Sequence, residues 1–374
     1  MQPMDQPVVV AGEIIIYRLY DIAYAVDLDR AEAILAQRTS TGASRKRLSA
    51  TPPKAVAYDA PPVVMSLDPV PLSINGSALD ANVTGRLYDF GVVSLALDVP
   101  VRNLQWTAFQ DLLDGLAASI GAGSGEHIWT QLAGQVREQI ADALVRPAVS
   151  MLEEDYIVAL VRSFGRAMTA AEIQEKLDLV PLLSGERSAL SEGAQQDLLR
   201  NRFSYYTDDL VVITWDRAFV YEPRRNSDVI DVLEVANAQL LEMRYYDELL
   251  DAELPRMYDL VQKTRRASGL FSSRRFARLA RNLYTLVAEV TELTEKVDNA
   301  LQVTEDVYLA RIYAATLDLF RVHLVSIAVE RKLAIIRDTY TALYDEASGG
   351  RATLLEIAIV VLIVVEILIA LWGH

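Results

Sequence analysis

Glu356 and Glu366 interrupt the run 352–372, which is otherwise almost wholly Val, Ile, Leu and Ala and closes on Trp372. A carboxylate at the centre of a hydrocarbon layer costs at least ~2.5 kcal/mol on insertion scales, so such groups face protein or water. Ten residues apart, the two are rotated by about 80° on an α-helix and share one half of its circumference. This suits a hydrogen bond across a helix interface with Glu366 protonated; a proton or ion path is the sharper alternative. Glu356 lies near the entry to the run, within reach of Arg351 or of headgroups. A second signal is positive. The window 260–288 holds Lys263, Arg265, Arg266, Arg274, Arg275, Arg278 and Arg281 and no acid. Such a loop suits anionic headgroups, at ~1 kcal/mol per cation near the surface, or the phosphates of ribosomal RNA. The plainer alternative is a solvated helix face paired with neighbouring acids.

Elsewhere the chemistry thins out. The stretch 121-GAGSGEH-127 follows a helix and lacks the Lys-Ser/Thr pair of a phosphate loop, so it reads as a helix–helix connection. Glu153, Glu154 and Asp155 precede a strand with no second ligand cluster, the pattern of a solvated turn. Asp208-Asp209 reads as a hairpin turn, and Trp215, Phe219 and Tyr221 are assigned to the core or to its contact with the helices that follow. Asn75-Gly-Ser and Asn82-Val-Thr fit the glycosylation pattern by accident. The lack of cysteine excludes thiol nucleophiles and thiolate zinc sites, and three histidines argue against imidazole-rich metal sites. No catalytic residue, metal or cofactor is expected. A formal charge of −15 argues against wholesale nucleic-acid binding, and no direct DNA contact is expected.

The elements that must position these groups fall into four parts. Residues 1–11 form a tail, and the acidic start is a poor secretory signal. Residues 12–222 alternate strands and helices, with strands at 14–22, 83–89, 92–99, 155–162, 203–207 and 210–215 and a loop-like stretch at 39–82. That order predicts an α+β head of two ferredoxin-like halves. Residues 223–348 carry heptad seams, first Val229, Leu233, Ala236, Leu240 and Met243, then Leu250, Leu254, Met257 and Val261. They predict an antiparallel helical coiled-coil stalk, with a kink or break near Asp251 imposed by Pro255 and a third helix over 305–347. Residues 352–372 match the ~20 residues that cross a ~30 Å hydrocarbon core, which predicts one C-terminal transmembrane helix acting as a tail anchor.

The tail also carries a family likeness. Leu355-Glu356, Ile359-Val360, Leu362-Ile363 and Glu366 match an LE-x-x-IV-x-LI-x-x-E pattern, and 330-ERKLAIIRDTYTALYD-345 and 233-LEVANAQLLEMRYYDELLD-251 are similar to the helices before it. On these residues, over roughly the last 140 of the chain, the sequence resembles the required-for-meiotic-nuclear-division (Rmd/RMND) family. The resemblance implies a membrane-anchored, oligomer-forming protein. Mitochondrial members support translation on the inner membrane by tethering or stabilising ribosomes, and no catalytic residue comes with the family. The acidic start is unlike a transit peptide, which implies a bacterial member in the cytoplasmic membrane with its bulk facing the cytoplasm. The expected function is a non-enzymatic, membrane-anchored oligomeric scaffold whose partners are the bilayer, further copies of the chain and the ribosome. The alternatives are an enzyme or ligand-binding head on an anchor, and a proton- or ion-conducting assembly that uses Glu366.

Overall fold

The stretch VVVAGEIIIYRLYD is apolar at both parities, the pattern of a strand covered on two faces. It forms β1 (Val8–Asp21), in which every residue from 14 to 21 is buried. The structure is a computed structural model that describes residues 7–38, 44–45, 56–58, 60–149, 151–186, 188–224, 228–266, 272–299, 301–303 and 306–345. After β1 come β2 (Ala23–Val26), α1 (Leu28–Arg38) and the short β3 (Ser44–Arg45) and β4 (Val56–Tyr58). The hairpin of β5 (Val63–Ile74) and β6 (Ser77–Leu87) turns at Asn75-Gly76, both at positive φ, 52° and 79°, as a two-residue loop demands. β7 (Val92–Gln105) begins after Gly91, whose φ of 98° and closeness to the Ala23 carbonyl leave no room for a Cβ.

Helices α2 (Trp106–Ile120) and α3 (Glu126–Gln139) lead to β8 (Leu144–Pro147) and β9 (Glu153–Phe164). The short helices α4 (Ala170–Lys176), α5 (Val180–Ser184) and α6 (Glu192–Leu198) precede β10 (Arg202–Phe203), β11 (Leu210–Ile213) and β12 (Arg217–Tyr221). Then follow α7 (Val229–Arg266), α8 (Ser272–Asn299), β13 (Leu301–Val303), α9 (Val307–Leu319) and α10 (Val322–Asp345). Nine strands form one mixed sheet in the order β10-β11-β12-β9-β1-β7-β6-β5-β3. β1 is antiparallel to both β7 and β9, and among the described residues the one parallel pair is β9–β12.

Two compact units divide the chain, one of Met1–Glu242 with Lys296–His323, the other of Met243–Glu295 with Leu324–His374. In the first, α2 and α3 cover one face of the sheet, with Trp106, Phe109, Leu113 and Trp129 packed against Ile14, Ile16, Leu95 and Ile157. Ile15, Tyr17 and Leu19 alternate to the other face and are equally buried. There the first half of α7 is buried on every side from residue 231 to 243. It is not apolar throughout. Arg86 of β6 is held by Asp231 at 2.7 Å and by Glu234, and the Tyr88 hydroxyl donates to Glu234 at 3.3 Å. Burial, and then the Glu234 charge, push the Tyr17 phenol well above its usual range. In the second unit α7, α8 and α10 bury residues at seven-residue intervals, Leu250 and Met257 on one, Leu283 and Val290 on another, and Val329, Ile336 and Leu343 on the third. Lys332 of α10 pairs with Asp247 and Asp251 of α7, each at 2.6 Å.

This corrects the expected architecture in three ways. The strands do not close two ferredoxin-like halves, because β1 offers both its edges, to β7 and to β9, and so fuses both sets into one sheet. The expected coiled-coil stalk does not hold either: its first seam, Val229 to Met243, lies in a helix segment buried on every side against the sheet instead of along one stripe. Of the kink or break expected near Asp251, the break is absent, since α7 is continuous through Pro255, while the third helix does break, at Phe320-Arg321, where Arg321 has a φ of 55°. Finally, no single helix among the described residues is long and apolar enough to cross a membrane. The membrane and tail-anchor reading therefore has no support there. The expected span 352–372, with Glu356 and Glu366, lies outside the described residues.

Two predictions follow from the buried charges. Replacing Arg86 by Met removes the cation shared by two buried carboxylates, which costs about 3–5 kcal/mol; a denaturant melt should show it, and adding Asp231→Asn with Glu234→Gln should recover most of the loss. Asp21, buried at the end of β1, has its carboxyl pushed up by burial from 3.8 to about 7, against the lowering effects of the Ala23 amide and Arg137. The folded state thus holds this proton more tightly than the unfolded one, so stability falls as pH rises from about 4 to about 7. Thermal melts at pH 5 and pH 8 should differ less for Asp21→Asn than for the parent.

Candidate functional site

β12 is short, and that shortness makes a site. Its first residue, Arg217, pairs with Ile157, so β9 overhangs it by the four residues Glu153 to Tyr156. The overhang opens a cleft of about 510 Å³. Asp114, Ala117 and Ala118 of α2 wall it on one side, and Asn237 and Leu240 of α7 on the other. The strand ends contribute Glu154, Asp155, Trp215, Asp216 and Arg217, and Gly185 stands at the rim.

Trp215-Asp216 is a hairpin tip between β11 and β12, and its placement is tightly specified. The Thr214 amide and hydroxyl each donate to the Arg217 carbonyl at 2.8 Å. From beneath, the fully buried Tyr156 hydroxyl reaches the carbonyls of Thr214 and Arg217, both at 2.9 Å. The tip cannot fold back into the core, and Trp215 remains 53% exposed, its ring edge-on to Phe320 at 6.0 Å.

Four carboxylates, Asp114, Glu154, Asp155 and Asp216, share the cleft with one guanidinium. Arg217 is itself almost fully buried and already engaged. Its Nη1 donates to Asp114 at 3.2 Å and to the Leu182 carbonyl at 3.0 Å, and its Nε lies 3.8 Å from Asp216. Gly185, at a φ of 65°, presses on the guanidinium so closely that a Cβ would overlap it. Burial pushes the Asp155 carboxyl up, opposed by Arg18 and helped by Asp216. Asp216 is pushed up by burial too, against the pull of Arg217. Arg18, the cross-strand partner of Asp155, lies fully buried below, where it pairs with Glu153 at 2.9 Å and donates to the Gly121 carbonyl at 2.7 Å. The site is therefore a half-dry pocket with surplus negative charge and one exposed indole. No group of three or more acidic or histidine side chains among the described residues is arranged to hold a metal ion.

The sequence-derived candidates fall elsewhere. Lys263, Arg265 and Arg266 lie in the last turns of α7 and Arg274 and Arg275 in the first turns of α8, with their side chains outside what is described; Arg278 and Arg281 are exposed on α8. Glu153 to Asp155, expected as a solvated turn, begin β9 and line or border the cleft. Trp215, expected in the core or against the helices that follow, lies at its mouth, half-exposed, with its ring on Phe320. A signal for this exists in the sequence: Trp215-Asp216 falls between the apolar strand LVVI and the next apolar run AFVY, the place of a hairpin tip.

One prediction tests the electrostatics of the cleft. Arg217 holds the Asp216 carboxyl down against burial, so Arg217→Met should raise the Asp216 titration further. Carboxyl-carbon NMR of the two proteins checks it, and an unmoved Asp216 would contradict the assignment.

Residues 11–228, more than half of the chain, match the family described as "Uncharacterized protein MJ0711, N-terminal domain". The relative of that name from Methanocaldococcus jannaschii is 27% identical over 201 residues, 53% of this chain and 60% of the relative. The chain thus spans less than two thirds of that relative's length. No solved structure matches. The expected kinship with the Rmd/RMND family is corrected by these findings: the match falls on the sheet and on most of the cleft, not on the tail that carried the resemblance, and no Rmd/RMND likeness was found. By the match over residues 11–228, the chain belongs to the MJ0711 N-terminal domain family.

Proposed function

We propose that this protein is a non-catalytic binding protein whose sheet unit takes a small organic cation, an amine or guanidine, in the cleft between α2 and α7. The observation that carries the reading is the pair of buried, raised carboxyls of Asp155 and Asp216 in a cleft whose lining guanidinium, Arg217, is already engaged by Asp114. Two further features support it. Trp215 offers an exposed indole beside the carboxylates, a surface on which a desolvated cation gains about 0.5–2 kcal/mol. A cleft of about 510 Å³ lies within the range of small-molecule sites, and convergent polar groups on an otherwise packed scaffold are their usual form. An arriving cation also relieves the strain recorded in the raised carboxyls of Asp155 and Asp216, since it favours their ionised forms.

The reading fixes a pH dependence. Because both carboxyls are raised above their usual range, acidification discharges them earlier than ordinary carboxyls, and cation affinity should fall as the pH is lowered. Calorimetric titration with putrescine, spermidine and agmatine is the direct test. Binding should weaken at least tenfold in Asp216→Asn and measurably in Trp215→Ala, with melting temperatures held close to the parent's. Heats that are absent at millimolar ligand, or unchanged in both variants, would remove the cleft as a cation site.

A further inference from the structure

The helical unit carries a surface that the cleft does not explain. Tyr284 of α8 and Tyr340 and Tyr344 of α10 form a ladder of rings, with centroids 5.7 Å and 6.1 Å apart along it. The outer two rings are open to solvent, Tyr284 at 61% and Tyr344 at 56%. Their three hydroxyls make no hydrogen bond among the described residues. Arg281 stands one turn before Tyr284 and Arg337 one turn before Tyr340, so each lies on the same helix face as the ring that follows it. Both are exposed, and neither is in an ion pair among the described residues. On α10 Asp338 follows Arg337 and Asp345 follows Tyr344, each about 100° round the helix from the residue it follows. Arg278, also exposed, extends the positive strip along α8, within the acid-free window 260–288 of a chain whose net charge is −15.

We infer that this face is a docking surface for single-stranded RNA. The rings are tilted to one another by 43° and 38°, and the two exposed ones, Tyr284 and Tyr344, give unpaired bases flat partners while flanking guanidiniums meet the phosphates between them. The local excess of positive charge along α8 is complementary to a polyanion. A duplex hides its base faces and gains only the phosphate contacts. An anionic bilayer likewise offers phosphates but no rings to stack. The free phenol hydroxyls are positioned to donate to or accept from 2′-hydroxyls, which favours RNA over DNA.

Fluorescence anisotropy of the full chain with a labelled decauridine RNA, its deoxy counterpart, an RNA duplex and phosphatidylglycerol vesicles tests the inference. The single-stranded RNA should bind about tenfold or more tightly than the duplex, and Tyr284→Ala with Tyr340→Ala should lower that affinity about tenfold. Arg281→Gln with Arg337→Gln should reduce the slope of log affinity against log salt by about one to two. Tyr284→Phe with Tyr340→Phe, which keeps the rings, should retain stacking but lose preference for RNA over DNA, and it guards against a folding defect in the alanine pair. Equal binding to duplex, affinity untouched by the alanine pair, tighter binding to the DNA strand, or binding to vesicles alone would each overturn it.

Discussion

The structure depends on one strand that is buried on both faces and bonded at both edges. β1 hydrogen-bonds to β7 and β9, and from residue 14 to 21 no side chain reaches solvent. A strand of that kind is stable only if each face of the sheet finds a cover, because an apolar face left wet loses about 25 cal/mol for every Å² it fails to bury. On one side α2 and α3 supply the cover with tryptophans and leucines. On the other side the cover is the first half of α7, which must also accommodate Arg86, Tyr17 and Tyr88 projecting from the strands. The two acids that α7 carries one turn apart, Asp231 and Glu234, converge on that arginine. A purely apolar helix would have left the guanidinium stranded.

The cleft is a by-product of the same sheet. Nothing in the core requires β12 to begin four residues late against β9, but once it does, the two covering helices are left facing each other past a missing strand end. Polar groups collect there because no strand partner takes up the space and water can reach it. Tyr156 and Thr214 then hold the hairpin tip so that Trp215 and Asp216 point into the opening. The geometry that makes the pocket is thus backbone geometry, and the chemistry follows from which residues happen to border the gap.

How much of this was legible in the residues varied with the range of the interaction. β1, β6, β7 and α2 show their periodicity openly, and Phe90-Gly91 marks the β6–β7 turn. The β5–β6 hairpin was hidden inside the stretch 39–82 that reads as loop. Pro69 and Pro71 lower the strand signal of β5, yet they are tolerated because this strand lies near the margin of the sheet, where only its first two residues pair with β3. The apolar seam of α7 was visible too, but a seam does not say what covers the rest of the helix. Asp231, Glu234, Asn237, Gln239 and Glu242 resemble a solvated helix face, and only packing against the sheet reveals them as buried.

By itself the sequence determined part of the local order: the strands β1, β7 and β9 and the helix α2, the lack of thiol chemistry, and a basic window in an acidic chain. These depend on neighbours a few residues apart. Tertiary structure alone decided that both sets of strands share one sheet, that the first α7 heptads belong to the sheet unit, and that Asp114, Asp155, Asp216 and Arg217 meet. Those residues lie up to 103 positions apart along the chain. No periodicity encodes a meeting of that range, because it is set by the register of one parallel strand pair and by the helices that close over its end.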